Sequence, residues 1–123
     1  MIAEILATTI ATINVALHPP IYLPMYATAY CLTGTTASGM QTKYGICANG
    51  HREWLGKEAV VYQRLPDGTR GKCIGTFDIE DTGCSDLVID VWKPTLDECQ
   101  EFMELVYEDG CKGHILVELR EVE

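Results

Sequence analysis

Basic residues are scarce in this chain: 9 Lys+Arg stand against 18 Asp+Glu, a formal charge of -9. A surface of that sign repels phosphate backbones and gains nothing from anionic lipid, so nucleic acid is set aside as a partner and no strong membrane case exists. Histidine is rarer still, with 3 residues, and the 6 cysteines include no Cys-x-x-Cys pair. Neither a structural metal site nor a cofactor is therefore implied. Also missing is any apolar run of the roughly 20 residues that a membrane span needs. The longest, IAEILATTIATINVAL at 2–17, is rich in Thr and stops at Pro19-Pro20. Its only early charge is Glu4, where an export signal has a basic start. Residues 1–24 read either as a degenerate export signal or as an element packing on the domain or on a second copy, which would make a homodimer.

Internal repeats and low-complexity linkers are absent too, which leaves one domain over 25–123, long enough to bury a core without staples. That size removes the need for disulfides and favours free thiols. Cys99 reads as a core thiol, because it sits at helical spacing from Leu96, Phe102 and Met103.

What is present reads mostly as strand. MYATAYCL (25–32), EAVVYQRL (58–65), KCIGTFDIED (72–81) and LVIDVW (87–92) carry β-branched and aromatic residues and end at Gly- or Pro-rich turns. The last segment, GHILVELREVE, places Ile115, Val117 and Leu119 at alternate positions, as a strand does. TGTTASGMQTKYG (33–45) is a loop. One helix is predicted over about 95–108: Thr95 and Glu98 form a capping box, and Leu96, Cys99, Phe102, Met103 and Val106 make one stripe up to Gly110. Five or six short strands and one late helix predict a mainly β domain, a mostly antiparallel barrel or sandwich with the helix attached.

Two aspartates stand out in FDIEDTGCSDLVIDVW (77–92). Period-two geometry puts Asp81 on the face of Phe77 and Ile79, and Asp90 on that of Val88 and Trp92. A carboxylate among apolar groups loses hydration and its pKa rises, as a general acid working near neutral pH requires. Asp81, before Thr-Gly, is equally suited to capping a turn. DTGCSDLVI also resembles a lobe of a retroviral-type aspartic protease, in which two such loops share one proton. Against it, Glu80 stands where that family has an apolar residue.

Taken in order, TAYCLTGTTASG (28–39), ICANG (46–50), WLGKEAVVY (54–62), DTGC (81–84) and VIDVW (88–92) resemble the 3D-domain family, named for three aspartates. That family includes the stationary-phase survival muralytic proteins and the C-terminal part of membrane-bound lytic transglycosylase A. The likeness spans about 26–120. It implies a six-stranded double-psi β-barrel that cleaves the MurNAc–GlcNAc bond of peptidoglycan and leaves a 1,6-anhydro end. Asp90 would be the general acid/base and Asp81 its catalytic partner. Thr28, Tyr30, Thr36, Ser38, Gly39, Asn49, Thr82, Gly83 and Trp92 would line the glycan groove, with no metal. Three departures bear on activity rather than fold: Asn49 stands at the family's first Asp, Cys84 at the second Gly of its Asp-Thr-Gly-Gly, and the loop to Asp90 is short. A non-catalytic glycan-binding or assembly module is the alternative. Either reading expects a cell-wall-directed protein, exported or phage-released. Accumulation in the cytoplasm stays open because the export signal is weak.

Overall fold

A computed structural model describes residues 20–122, so the expectation for 1–19 lies outside the described residues. The strands are β1 (Leu23–Tyr30), β2 (Ile46–Ala48), β3 (Glu58–Arg64), β4 (Arg70–Asp81), β5 (Val88–Trp92) and β6 (His114–Arg120), with helix α1 (Leu96–Tyr107) between β5 and β6. They close into a six-stranded barrel in the order β1-β5-β2-β4-β3-β6. Two neighbouring pairs, β1/β5 and β2/β4, are parallel, and the rest are antiparallel. The mainly β barrel with one late helix is thus as the sequence expected, in the mixed strand order of a double-psi barrel.

Alternation builds the interior. Met25 and Ala27 of β1, Val61 of β3, Phe77 and Ile79 of β4, Ile89 and Val91 of β5, and Ile115 and Val117 of β6 all point inward and are buried. Each such aliphatic side chain removed from water contributes about 1.5–3 kcal/mol before entropy is counted. Helix α1 adds Phe102 and Val106 to the same core, and the Phe102 ring meets Phe77 edge-on, centroids 6.2 Å apart. The Thr95 hydroxyl accepts from the Glu98 amide at 3.2 Å, which caps the helix as its sequence predicts. One member of the expected stripe departs: Leu96, the first residue of α1, is 65% exposed.

All six cysteines are unbridged thiols; Cys73 is exposed, Cys31 and Cys84 are half-buried, and Cys47, Cys99 and Cys111 are buried. Under native conditions alkylation should therefore modify Cys73 first. Cys47, Cys99 and Cys111, whose pKa values burial raises, should stay protected until the barrel unfolds. Intact-mass spectrometry with peptide mapping checks this order, and early loss of the Cys47 thiol would contradict the closed interior.

Candidate functional site

Register, rather than simple alternation, brings the two aspartates together. Along the parallel β2/β4 pair Cys47 lies opposite Ile79, but the next residue, Ala48, lies opposite Asp81. Glu80 is thus an extra residue, a β-bulge, and it reverses the side to which Asp81 points. Period-two reading placed Asp81 with Phe77 and Ile79; the bulge instead turns it to the outer face while those two stay in the core.

Ala48 pairs on its other side with Asp90, and Asp90 in turn pairs with Thr28. Cross-strand partners project to the same side of a sheet. Thr28, Asp90, Ala48 and Asp81 therefore form one row across β1, β5, β2 and β4, on the outside of the barrel wall. The small Ala48 side chain leaves a gap between the carboxylates, whose Cα atoms stand roughly 10 Å apart, two strand spacings.

Each carboxylate is held differently. Thr28 Oγ1 donates to Asp90 Oδ1 at 2.8 Å. Burial pushes the Asp90 pKa up, the Thr28 hydrogen bond pulls it partly back, and the Asp81 charge pushes it up again. Asp81 Oδ1 accepts two backbone amides, from Ala37 at 3.0 Å and Thr82 at 2.9 Å. Asp81 is thereby the turn-capping residue that its Asp-Thr-Gly setting suggested, and it also faces the row. Above them sits Tyr30, two residues after Thr28 on the same face. Its hydroxyl is buried with no hydrogen-bond partner among the described residues. Burial raises the phenol pKa, and the Asp81 and Asp90 charges add to the rise. The Cys84 thiol beside them is pushed up to about 11, by burial first and then by Asp90 and Asp81. A thiol shifted in that direction is less ionised, and so less reactive, than a free cysteine.

Two loops wall the row. Loop 31–45 lies over the outer face of β5, β2 and β4. Leu32 O accepts from Trp92 Nε1 at 2.8 Å, Gly45 O from the Asp78 amide at 2.8 Å, and Glu80 O from the Ser38 amide at 3.1 Å. The Thr36 and Ser38 hydroxyls share a hydrogen bond at 2.9 Å, Thr36 Oγ1 also accepts the Met40 amide, and Gly39 supplies the positive φ of 88° in that turn. Ser38 and Gly39 are exposed, whereas Thr36 is buried and acts as an internal brace.

Loop 82–87 forms the other wall, with Gly83 at φ 104°. Asn49, expected in the groove, is instead fully buried. Its Nδ2 donates to Asp86 O at 3.1 Å and Val88 O at 2.9 Å, while its Oδ1 accepts the His51 amide at 2.8 Å and contacts His51 Nδ1 at 2.9 Å. Every polar atom of that carboxamide is engaged within the protein. Gly50 permits the close approach: a Cβ there would stand 2.6 Å from Cys84 O and 2.8 Å from the Asp86 amide nitrogen. Trp92 also changes role. It is 6% exposed, with its ring against Tyr44 and its indole N–H bonded to Leu32, so it anchors loop 31–45 and offers no face to a sugar.

The site thus gathers Asp90, Asp81, Thr28, Tyr30, Ser38, Gly39, Thr82 and Gly83, and excludes the side chains of Asn49, Thr36 and Trp92. Sequence reasoning missed the spacer Ala48, the bulge residue Glu80 and the clamp on loop 82–87. None carries a local signal: pairing across strands sets the first two, and the clamp depends on carbonyls 37 and 39 residues away from Asn49 in the chain. Among the described residues no group of three or more His, Cys, Asp or Glu side chains is placed to hold a metal ion, and no helix is long and apolar enough to cross a membrane. No protein-family model matches the chain, and no curated protein or solved structure is significantly similar to it. The fold and the row therefore define it only as a closed, mixed six-stranded barrel with a two-carboxylate outer face.

Proposed function

We propose that this barrel is a peptidoglycan-directed lytic transglycosylase of the 3D-domain type. The observation that carries the reading is the row Thr28–Asp90–Ala48–Asp81, in which the bulge at Glu80 aligns a second carboxylate with a half-buried Asp90 whose pKa burial raises. Asp90 donates its proton to the glycosidic oxygen of a MurNAc–GlcNAc linkage as the bond to the anomeric carbon breaks. The MurNAc 6-hydroxyl closes onto that carbon, and the Asp90 carboxylate takes up the hydroxyl proton, so the residue ends as it began. The nucleophile belongs to the substrate, so no second carboxylate has to activate water as in a two-carboxylate glycosidase. Asp81 holds loop 31–45 through Ala37 and supports the raised Asp90 pKa by its charge. Tyr30, whose hydroxyl is buried without a partner among the described residues, lies beside the row and would have to be uncovered before it could donate to a sugar oxygen.

Incubating the protein with purified sacculi and analysing the soluble products by mass spectrometry tests this. Anhydro-muropeptides are the expected products. Retention on sacculi without release would favour the non-catalytic glycan-binding module. A protease finds less support here. Its two carboxylates would be Asp81 of two copies sharing a proton, whereas Asp81 Oδ1 is already engaged within one chain by the Ala37 and Thr82 amides.

A further inference from the structure

Strand β4 runs from Arg70 to Asp81, so its two ends lie roughly 35 Å apart along the strand. At the Arg70 end, opposite the aspartate row, a cavity of about 350 Å³ is lined by Arg64, Pro66, Gly110, Cys111, Lys112 and His114. In a chain with only 9 Lys+Arg, two of them and an imidazole meet in this one concavity. Among the described residues, neither Arg64 nor Lys112 has a carboxylate within ion-pair distance. The nearby acids are engaged elsewhere: Glu108 pairs with Lys72 at 2.6 Å, and Asp67 accepts the Thr69 amide and hydroxyl. Asp109, in the same turn, is exposed.

The walls are set before any ligand arrives. Pro66 packs so close to Gly110 that a Cβ there would stand 3.2 Å from its Cγ, which fixes the hairpin against the turn. The His114 ring rests on Tyr26, centroids 4.7 Å apart. Lys112 sits at φ 55°, a region that residues with bulky side chains seldom enter. Backbone bonds around it, Gly113 N–H to Val106 O at 2.9 Å and His114 N–H to Cys111 O at 3.0 Å, hold it there. A strained conformation persists where its surroundings over-determine it, and such positions cluster at binding sites.

We propose that this cavity binds a compact oxyanion, the phosphate or carboxylate group of a small ligand, through Arg64, Lys112 and His114. The proposal is independent of the glycan-cleaving reading. Amide spectra recorded while titrating inorganic phosphate, pyrophosphate and citrate at fixed ionic strength test it, with chloride as control. Saturable shifts confined to Arg64 and to Gly110–His114 are expected. Preference for phosphate and pyrophosphate over citrate assigns the group as phosphate, and the reverse assigns it as carboxylate. Arg64→Gln and Lys112→Asn should each weaken binding about ten-fold, the loss of one charge-assisted hydrogen bond. Asn tolerates the backbone at 112, and Lys112→Arg should retain affinity. Non-saturating shifts, shifts equal to those in chloride, or unchanged affinity in either charge-removing variant with an otherwise native spectrum would overturn the proposal.

Discussion

Replacing Asp90 with Asn should end the release of anhydro-muropeptides and, at neutral pH, make the protein more stable. On the proposed chemistry the loss follows from the vanished proton donor, and general acid catalysis of this kind is worth about a hundred- to ten-thousand-fold in rate. The gain follows from linkage. Burial raises the Asp90 pKa in the folded state, so the folded protein binds this proton more tightly than the unfolded chain does. The contribution of Asp90 therefore favours folding at acid pH and turns against it as pH climbs through the raised value. An amide carries no charge at any pH and still accepts the Thr28 hydroxyl, so it escapes that penalty. Thermal unfolding across pH 4 to 8 (a range of about that span brackets ordinary and raised carboxyl values) should show the variant's advantage growing toward neutrality. Activity in the variant, or a lower melting temperature at neutral pH, would remove Asp90 from the role.

Asn49→Asp should be severely destabilising, although the family resemblance places an aspartate at that point. The Asn49 amide nitrogen donates to two main-chain carbonyls, Asp86 O and Val88 O, inside a fully buried pocket. A carboxylate offers no donor there and sets negative charge against two carbonyl oxygens. Stranding buried polar groups in this way costs about 3 kcal/mol or more, which corresponds to a fall of roughly 10 °C or more in Tm for a domain of this size. Asn49→Ala should cost less, on the order of 2 kcal/mol, because it removes the donor without adding charge. Chemical denaturation of the two variants beside the parent protein measures the ranking. An aspartate variant as stable as the parent would mean that loop 82–87 is held by other means.

The long elements were legible in the sequence because local chemistry decides them. The Thr95–Glu98 cap marks α1 to within a residue, and Ile115, Val117 and Leu119 announce the alternation of β6. Strand β2 was not. Three residues, Ile46–Ala48, are too few to show a period, yet β2 is the strand on which Asp81 and Asp90 are both registered. The bulge at Glu80 escaped for the same reason, since nothing between Ile79 and Asp81 differs from a regular strand until its partner is known. Trp92 and Asn49 misled through chemistry that suits two tasks. An indole serves an anchor as well as a sugar platform, and an amide serves a clamp as well as a ligand. Only the positions of Leu32 and of the Asp86 and Val88 carbonyls decide between them.

Barrel closure also restricts how copies of this protein can meet. In the described barrel both margins of β1 are taken, one by β5 and the other by β6, and β3 is likewise flanked by β4 and β6. Closure thus leaves less main-chain edge for a visiting strand, the usual route to filaments and tangled aggregates, than an open sheet would. Among the described residues, side-chain surfaces rather than strand edges make up most of what a second copy would meet.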